Sequence, residues 1–515
     1  MQQNKGGEPK LFKVFGRFSS ALLLGALTLH AGAFEDYKKA QNDSFKKYKD
    51  ERDAEFNNYL KEQWKAYKEF AGESLYEKPK PKVIPQTSYV APPSLGPKII
   101  IELKATPQPI VEQKPVVNVK PVIVEKPLIV TPPSVVVAPV APIVAAPIVK
   151  APTKDINFLF YGSPLSFATP FGLKQARFFP NTQEGIASFF DKAASSEYQN
   201  LVSDIQATKK ALNLNDWGVY LLVNDLSSKL FSSVDDANLF SWFLFNKLGY
   251  AVKVGLANNH VVLLSYSQKT IYSTPNYNLD NKKFYALSYY NKGGVGALYT
   301  YNKDYPGSLK PLDLGIETLP NLALAKNSKT LKYTHLGKEV KVAFNYNQNI
   351  IDFMATYPQA DYDTYFDAPV ENESYVQIAT ALKKYIDGKS ASDAMNFVLS
   401  FVQHAFLYQT DQQQFGREKP MFAEETLFYG ASDCEDRAAL YGYLMKKLFG
   451  ANIVGVKYSD HMATAIHVPL AGDAVKVGDE RFVVADPTYI NATIGQAMPQ
   501  YKSVIPETFI KVEPK

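Results

Sequence analysis

Two stretches of this chain, about 200 residues apart, repeat one another, and a repeat of that length is a folding unit rather than a motif. The upstream stretch SSVDDANLFSWFLFNKLGYAVKVGLANNHVVLLSY, followed by TIYSTPNY, aligns with SDCEDRAALYGYLMKKLFGANIVGVKYSDHMATAIHV, followed by FVVADPTY. Phe243, Leu244, Lys247, Leu248, Val254 and Gly255 fall on Tyr443, Leu444, Lys447, Leu448, Val454 and Gly455. One inserted residue later His260 falls on His461, while Val234 stands at the place of Cys434 and Thr274 at the place of Asp486. The chain should therefore contain one fold twice, with different polar residues at matching places.

Cys434 is the only cysteine, so it has no partner for an internal disulfide. It is an inert core residue or a nucleophile, and its surroundings favour the nucleophile. Ser432 and Glu435 have the spacing of a capping box, which places Cys434 in the first turn of a helix that stops near Gly450. Unpaired amides and the helix dipole stabilise a thiolate there, and the same amides can hold an oxyanion. ANIVGVKY and MATAIHVP read as strands joined at Ser459 and Asp460, and RFVVAD as a further strand ending at Asp486. A nucleophile on a helix start with a histidine and an acid on adjacent strands is what a Cys/His/Asp triad needs.

The string DCEDRA, the histidine opening a strand and ADPTY, together with TDQQQFGREKPMFAEETLFYGAS, resemble the bacterial transglutaminase-like domains of the papain-like superfamily over roughly residues 375 to 500. That resemblance implies Cys434 as nucleophile, His461 as general base and Asp486 as orienting acid. It leaves open whether the acyl group passes to water or to an amine.

His467 competes with His461, being six residues along the same strand and on the same face by period-two geometry. The repeat favours His461, because His260 matches it and Tyr266 stands at the His467 position. His404 sits on an expected helix and reads as a packing residue. Asp433, Glu435 and Asp436 read as a charge cluster favoured by the helix dipole; a calcium site is the sharper alternative, but the oxygen-rich loop of a dedicated site is missing. No metal and no cofactor are therefore expected. The segment before the nucleophile is longer in the downstream copy, where YQTDQQQFGREKPMFAEE is extra. Long loops in compact domains are usually functional. This one is expected to build the substrate cleft, with Tyr408, Gln409, Gln412, Gln413 and Gln414 as candidate oxyanion donors.

Ahead of both copies, residues 1–33 read as a signal peptide, with Lys5, Lys10, Lys13 and Arg17 before SSALLLGALTLHAGA and a small-residue cleavage site before Phe34. The apolar run is short for a span, so no transmembrane segment is expected after cleavage, and the product should be periplasmic or secreted. Residues 34–77 carry aromatic pairs every eleven residues, from Phe34 and Tyr37 to Tyr67 and Phe70. Eleven residues is close to three helical turns, so an amphipathic, coiled-coil-like helix is expected, used for self-association or envelope docking, with packing back on the body of the same chain as the alternative. Residues 78–153 hold roughly half of the chain's 33 prolines and cannot build a core; they read as an extended linker with a contour on the order of 230 Å.

The expected organisation is α+β: a degenerate module at 154–300, a β-rich connection at 301–370 and a catalytic module at 371–515. A net charge of +5 is too small to argue for nucleic acid. The reading is an exported cysteine peptidase or amidase acting on protein or peptide substrates. A cross-linking acyl transferase and a non-catalytic envelope scaffold are the alternatives.

Overall fold

The computed structural model describes residues 26–62, 68–70, 72–74 and 154–514. Residues 1–25 of the expected 1–33 signal peptide and the proline-rich stretch 78–153 lie outside the described residues. The molecule mixes helices with two curled half-barrel sheets, an α+β arrangement. No described helix is long and apolar enough to cross a membrane.

The repeat is visible in the topology. The upstream copy places helices Gln199–Ala211, Asp216–Leu230 and Val234–Lys247 before a sheet; the downstream copy places Asn372–Ile386, Ala391–His404 and Cys434–Phe449 before another. From one edge, the upstream sheet runs Leu298–Thr300, Val252–Ala257, His260–Tyr266, Lys282–Tyr285, Pro275–Leu279. The downstream sheet runs Thr508–Lys511, Ile453–Lys457, Met462–Ile466, Glu480–Ala485, Ala474–Val477, the same order with every pairing antiparallel. Gly255 and Gly455 hold the same place for the same reason. A Cβ on either would come within 2.7 Å of a covering side chain, Leu298 in one sheet and Phe366 in the other.

With those glycines superposed, two equivalences drawn from the sequence change. Gly255 pairs with Val262 and Gly455 with Thr464, so His260 is level with Met462, not with His461. The downstream hairpin is one residue pair longer, closed by the Tyr458 amide donating to the His461 carbonyl at 2.8 Å. A one-residue slip reverses the face. His260 accordingly points outward with 71% of its side chain exposed, whereas His461 is buried. Thr274 precedes strand Pro275–Leu279, so it is not the counterpart of Asp486; in the same register, with Ser265 opposite Tyr285 and Thr464 opposite Ala485, the place of Asp486 falls on Tyr289. Val234 does open its helix as Cys434 does.

The N-terminal helix runs Ala26–Glu62, shorter than the expected 34–77 at its far end, and Phe70 lies on a strand instead. Over its last turns the aromatic stripe packs on the body of the same chain. Phe56 and Leu60 are buried, and the Phe56 ring meets Phe190, Tyr301 and Tyr305 edge-on. Asp53 is buried there too and pairs with Lys247, which lies among the rings of Phe190, Tyr198, Phe243 and Tyr305. Burial holds the Lys247 ammonium down to about 8 although Asp53 opposes the shift. Beyond the helix, Lys68–Phe70 pairs with Leu298–Thr300 and Glu73–Ser74 with Pro275–Leu279, the two opposite edges of the upstream sheet.

The connection contains the expected hairpin, Lys326–His335 with Lys338–Asn347, turned through Leu336 and Gly337, both at positive φ as a type I′ turn requires. It also holds two short helices, Gln348–Met354 and Asp363–Phe366. Tyr357 joins the copies: its hydroxyl accepts from Asn215 at 2.7 Å and its ring lies edge-on to Phe422 at 4.9 Å. One continuous hydrophobic cluster includes Phe56, Phe190, Trp242, Tyr357, Phe422 and Cys434.

Two stability measurements follow. Asp53→Ala strands a desolvated ammonium and should lower unfolding free energy by about 3–5 kcal/mol in urea titration, with Asp53→Ala/Lys247→Met recovering most of it. Glu424, on helix Ala423–Phe428, accepts from the Glu371 amide at 2.7 Å and the Ser374 hydroxyl at 3.2 Å, and burial raises its carboxyl to about 7. Its folded value lies above the unfolded one, so its contribution is fully present below about 4.5 and lost as pH rises through 7. Glu424→Gln should flatten that slope, which amounts to about 3 kcal/mol between the limits.

Candidate active site

The helix carrying Cys434 begins differently from the sequence expectation. Its cap is Asp433, in extended conformation, and the carboxylate reaching back to the Asp433 amide at 3.1 Å belongs to Asp436, not Glu435. Ser432 is unavailable as a cap because it lies in the short strand Ala431–Ser432, paired with Leu407–Tyr408, and its hydroxyl accepts from Arg437 Nε at 3.2 Å. Asp436 also accepts from the Met421 amide at 2.7 Å. Cys434 is therefore the first residue of the helix and is buried. Its thiol donates to Glu435 Oε2 at 3.2 Å.

His461 follows the hairpin turn and Asp486 follows strand Glu480–Ala485, one strand further across the sheet. They meet: His461 Nε2 lies 2.8 Å from Asp486 Oδ2, and both are buried. The other oxygen of Asp486 accepts from the amides of Thr488 at 2.9 Å and Tyr489 at 3.2 Å. With its carboxylate face on Nε2, the imidazole carries its proton there and offers Nδ1 as the base. That Nδ1 is buried and has no hydrogen-bond partner among the described residues. The nucleophile helix packs on the strand following His461.

Tyr501, from the short 3-10 turn Pro499–Tyr501, stacks on the His461 ring at 4.8 Å and 18°, and on Tyr458 at 4.7 Å. Its hydroxyl donates to Asp460 at 3.0 Å. Burial first, then that bond, and then the charges of Cys434 and Asp486 keep the phenol well above its ordinary range. One hydroxyl thus senses both ends of the proposed triad. His467 lies beyond the end of the strand, exposed, with its ring 5.4 Å from Phe482. At about 3.3 Å per strand residue it is roughly 20 Å from His461, so the two do not share a site.

Sequence reasoning missed two supports. Gln403, buried on helix Ala391–His404, donates through Nε2 to the carbonyls of Asp486 (3.1 Å), Tyr489 (2.8 Å) and Ala492 (3.1 Å). Arg437, buried inside the nucleophile helix, donates to the carbonyls of Gln403 at 3.2 Å and Phe406 at 2.8 Å. Burial pulls its guanidinium down to about 10, against the nearby Tyr408, Asp433 and Asp436. A buried glutamine beside an ordinary amphipathic pattern gives no sequence signal, but an arginine facing the core three residues after Cys434 was legible as an anomaly. His404 packs as expected, stacked on Tyr333 at 6.1 Å, and also faces Asn491 Oδ1 at 3.1 Å.

Of the candidate oxyanion donors, Gln413 is used in the capping box of helix Asp411–Phe415, and Tyr408 lies under the Arg437 guanidinium at 5.5 Å. The long segment instead brings an acid, Asp411, to the two acids that flank Cys434. Carboxylate oxygens of Asp411, Asp433 and Glu435 lie within 4.8 Å of one another, all buried. Asp411 takes the place that the sequence reading gave to Asp436. The trio has the hard oxygen chemistry of a divalent-cation ligand set, three donors of the six to eight that calcium takes. Backbone amides already use two of its members, Asp411 N–H donating to Asp433 at 3.3 Å and the Lys419 amide to Asp411.

Gln403→Leu removes one donor from three carbonyls around Asp486. It should cost about 1–3 kcal/mol of stability. It should also slow Cys434 alkylation at pH 7 about tenfold; rates across pH, read beside urea midpoints, separate loosened His461 orientation from simple destabilisation.

Comparison with protein-family models, with curated proteins and with solved structures found no match for this chain.

Proposed function

We propose that this chain is an exported cysteine hydrolase of the transglutaminase-like type, cleaving amide bonds in envelope or extracellular proteins. The observation that carries the reading is the buried 2.8 Å contact of His461 Nε2 with Asp486, which leaves Nδ1 free to act as a base, on a hairpin whose second strand packs against the helix that Cys434 opens. The lysine-bearing start and the apolar run behind it support export to the periplasm or beyond.

In this reading the thiol proton passes to His461 Nδ1, and the thiolate attacks the substrate carbonyl carbon. The tetrahedral oxyanion is met by amides at the helix start. The carbon–nitrogen bond then breaks as the imidazolium protonates the departing amine, leaving a thioester on Cys434. Water, deprotonated by His461, attacks the thioester and releases acid and thiol. Asp486 stays ionised throughout and holds the ring. Cys434 is only 1% exposed, and a carbonyl must come within about 3–3.5 Å of sulfur. Substrate entry therefore displaces a covering side chain, and Tyr501, stacked on His461, is in place to be one. Transfer to a lysine amine in place of water follows the same first half.

The test is labelling of purified protein by an iodoacetamide probe, followed by mass analysis of incubated envelope proteins for cleaved or isopeptide-linked products. Labelling near neutral pH should require Cys434 and His461 but not His467. Asp486→Asn should lower turnover on the order of 10³–10⁴-fold. Cys434→Ala should abolish it, and Val234→Cys should not restore it, because Tyr289 stands at the place of Asp486 in the upstream copy and supplies no carboxylate. Ordinary thiol titration that His461→Ala leaves unchanged would instead place Cys434 among core residues.

A further inference from the structure

The upstream copy has lost the triad but keeps a cavity at the equivalent place. It is about 550 Å³ in volume and lies between the start of helix Val234–Lys247, helix Asp216–Leu230 and the loop after strand Lys282–Tyr285. In the downstream copy the matching helix start carries Cys434, and the matching loop begins with Asp486. Val234 stands at the place of Cys434 and is 73% exposed on the cavity wall, where its apolar surface is open to a ligand.

Leu263, Leu287 and Phe231 add apolar surface. Ser288 adds a hydroxyl, which both donates and accepts, and Asn224 and Asn238 keep one amide hydrogen each beyond those given to the Tyr220 and Val261 carbonyls, so the wall still offers a peptide backbone donors and an acceptor. The acid next to Val234 does not compete with a ligand: Asp235 accepts from the Val261 amide at 2.7 Å and faces His260 Nδ1 at 3.1 Å. The only charged residue lining the cavity is Lys292, an exposed cation with no ion pair among the described residues. A volume in this range, an apolar wall, hydrogen-bond donors with an acceptor and one cation are the features of a built ligand site.

We infer that this cavity binds a short peptide segment, seating one apolar side chain against Val234, Leu263 and Leu287 and one carboxylate at Lys292. The carboxylate is a chain terminus or an acidic side chain. The inference stands on the upstream copy alone and does not depend on chemistry at Cys434.

The experiment uses full-length Cys434→Ala protein, so that no turnover consumes the probe. Three fluorescein-labelled tetrapeptides are compared by anisotropy: Ala-Ala-Val-Leu with a free C-terminus, the same peptide as its amide, and Ala-Ala-Glu-Leu amide. Saturable binding is expected for at least one carboxylate-bearing probe and about tenfold weaker binding for the neutral amide. Which acid probe binds identifies the carboxylate source. Lys292→Met should remove that tenfold preference, and Val234→Trp, which fills the cavity from an exposed position, should abolish binding. Thermal melts of both variants check that the fold persists, and Ser288→Trp fills the cavity from the opposite loop if Val234→Trp unfolds. No saturable binding of any probe up to millimolar concentration overturns the inference, as does binding indifferent to Lys292→Met and to the cavity-filling variants. Loss of Cys434 labelling in the parent protein would remove the proposed function and leave this result standing.

Discussion

Arg437 is the constraint around which the site is arranged. A guanidinium with almost no contact with water must have its donors met, and here the acceptors are Ser432 on one segment and Gln403 and Phe406 on another. Those contacts tie the end of helix Ala391–His404 and the strand before the nucleophile to the nucleophile helix. Gln403 then passes the constraint on, since its carbonyl accepts from Arg437 while its amide holds the loop of Asp486. Removing the cation would leave three acceptors without their donor in a place water does not reach, so the position is intolerant of change.

The sequence was informative wherever a residue's role depends on its near neighbours. The helix opening at Cys434, the hairpin turning at Ser459 and Asp460, and the strand ending before Asp486 were all legible from local pattern, as was the duplication. What failed depended on register and on long-range partners. A Ser–x–x–Glu spacing suggested a cap, but Ser432 was already committed to a strand and to Arg437. One extra residue pair in the downstream hairpin shifted His260 off His461, although the aligned letters matched. The last turns of the aromatic helix lie against Phe190 and Tyr305 because Lys247 offers a buried partner for Asp53, 194 residues away, which no periodicity can announce.

The two copies are in contact at the segment that distinguishes them. Arg417, in the long downstream insertion, donates to the Tyr290 hydroxyl at 2.9 Å and lies over its ring at 5.4 Å. Tyr290 in turn lines the upstream cavity and accepts from the Gln359 amide at 3.1 Å. The same insertion carries Asp411, whose amide donates to the cap residue Asp433. The upstream copy thus contacts the segment that packs against the start of the Cys434 helix.

The pairing of residues 68–70 and 73–74 with opposite edges of the upstream sheet changes what the proline-rich stretch is able to do. Ser74 is held in that sheet, and strand Ile156–Phe160 belongs to the same compact unit, so the intervening chain leaves and rejoins one body. A segment anchored at both ends reaches at most half its contour, roughly 120 Å at the polyproline rise. The connectivity therefore sets an upper bound on reach that is half that of a tether of equal length joining two separate bodies.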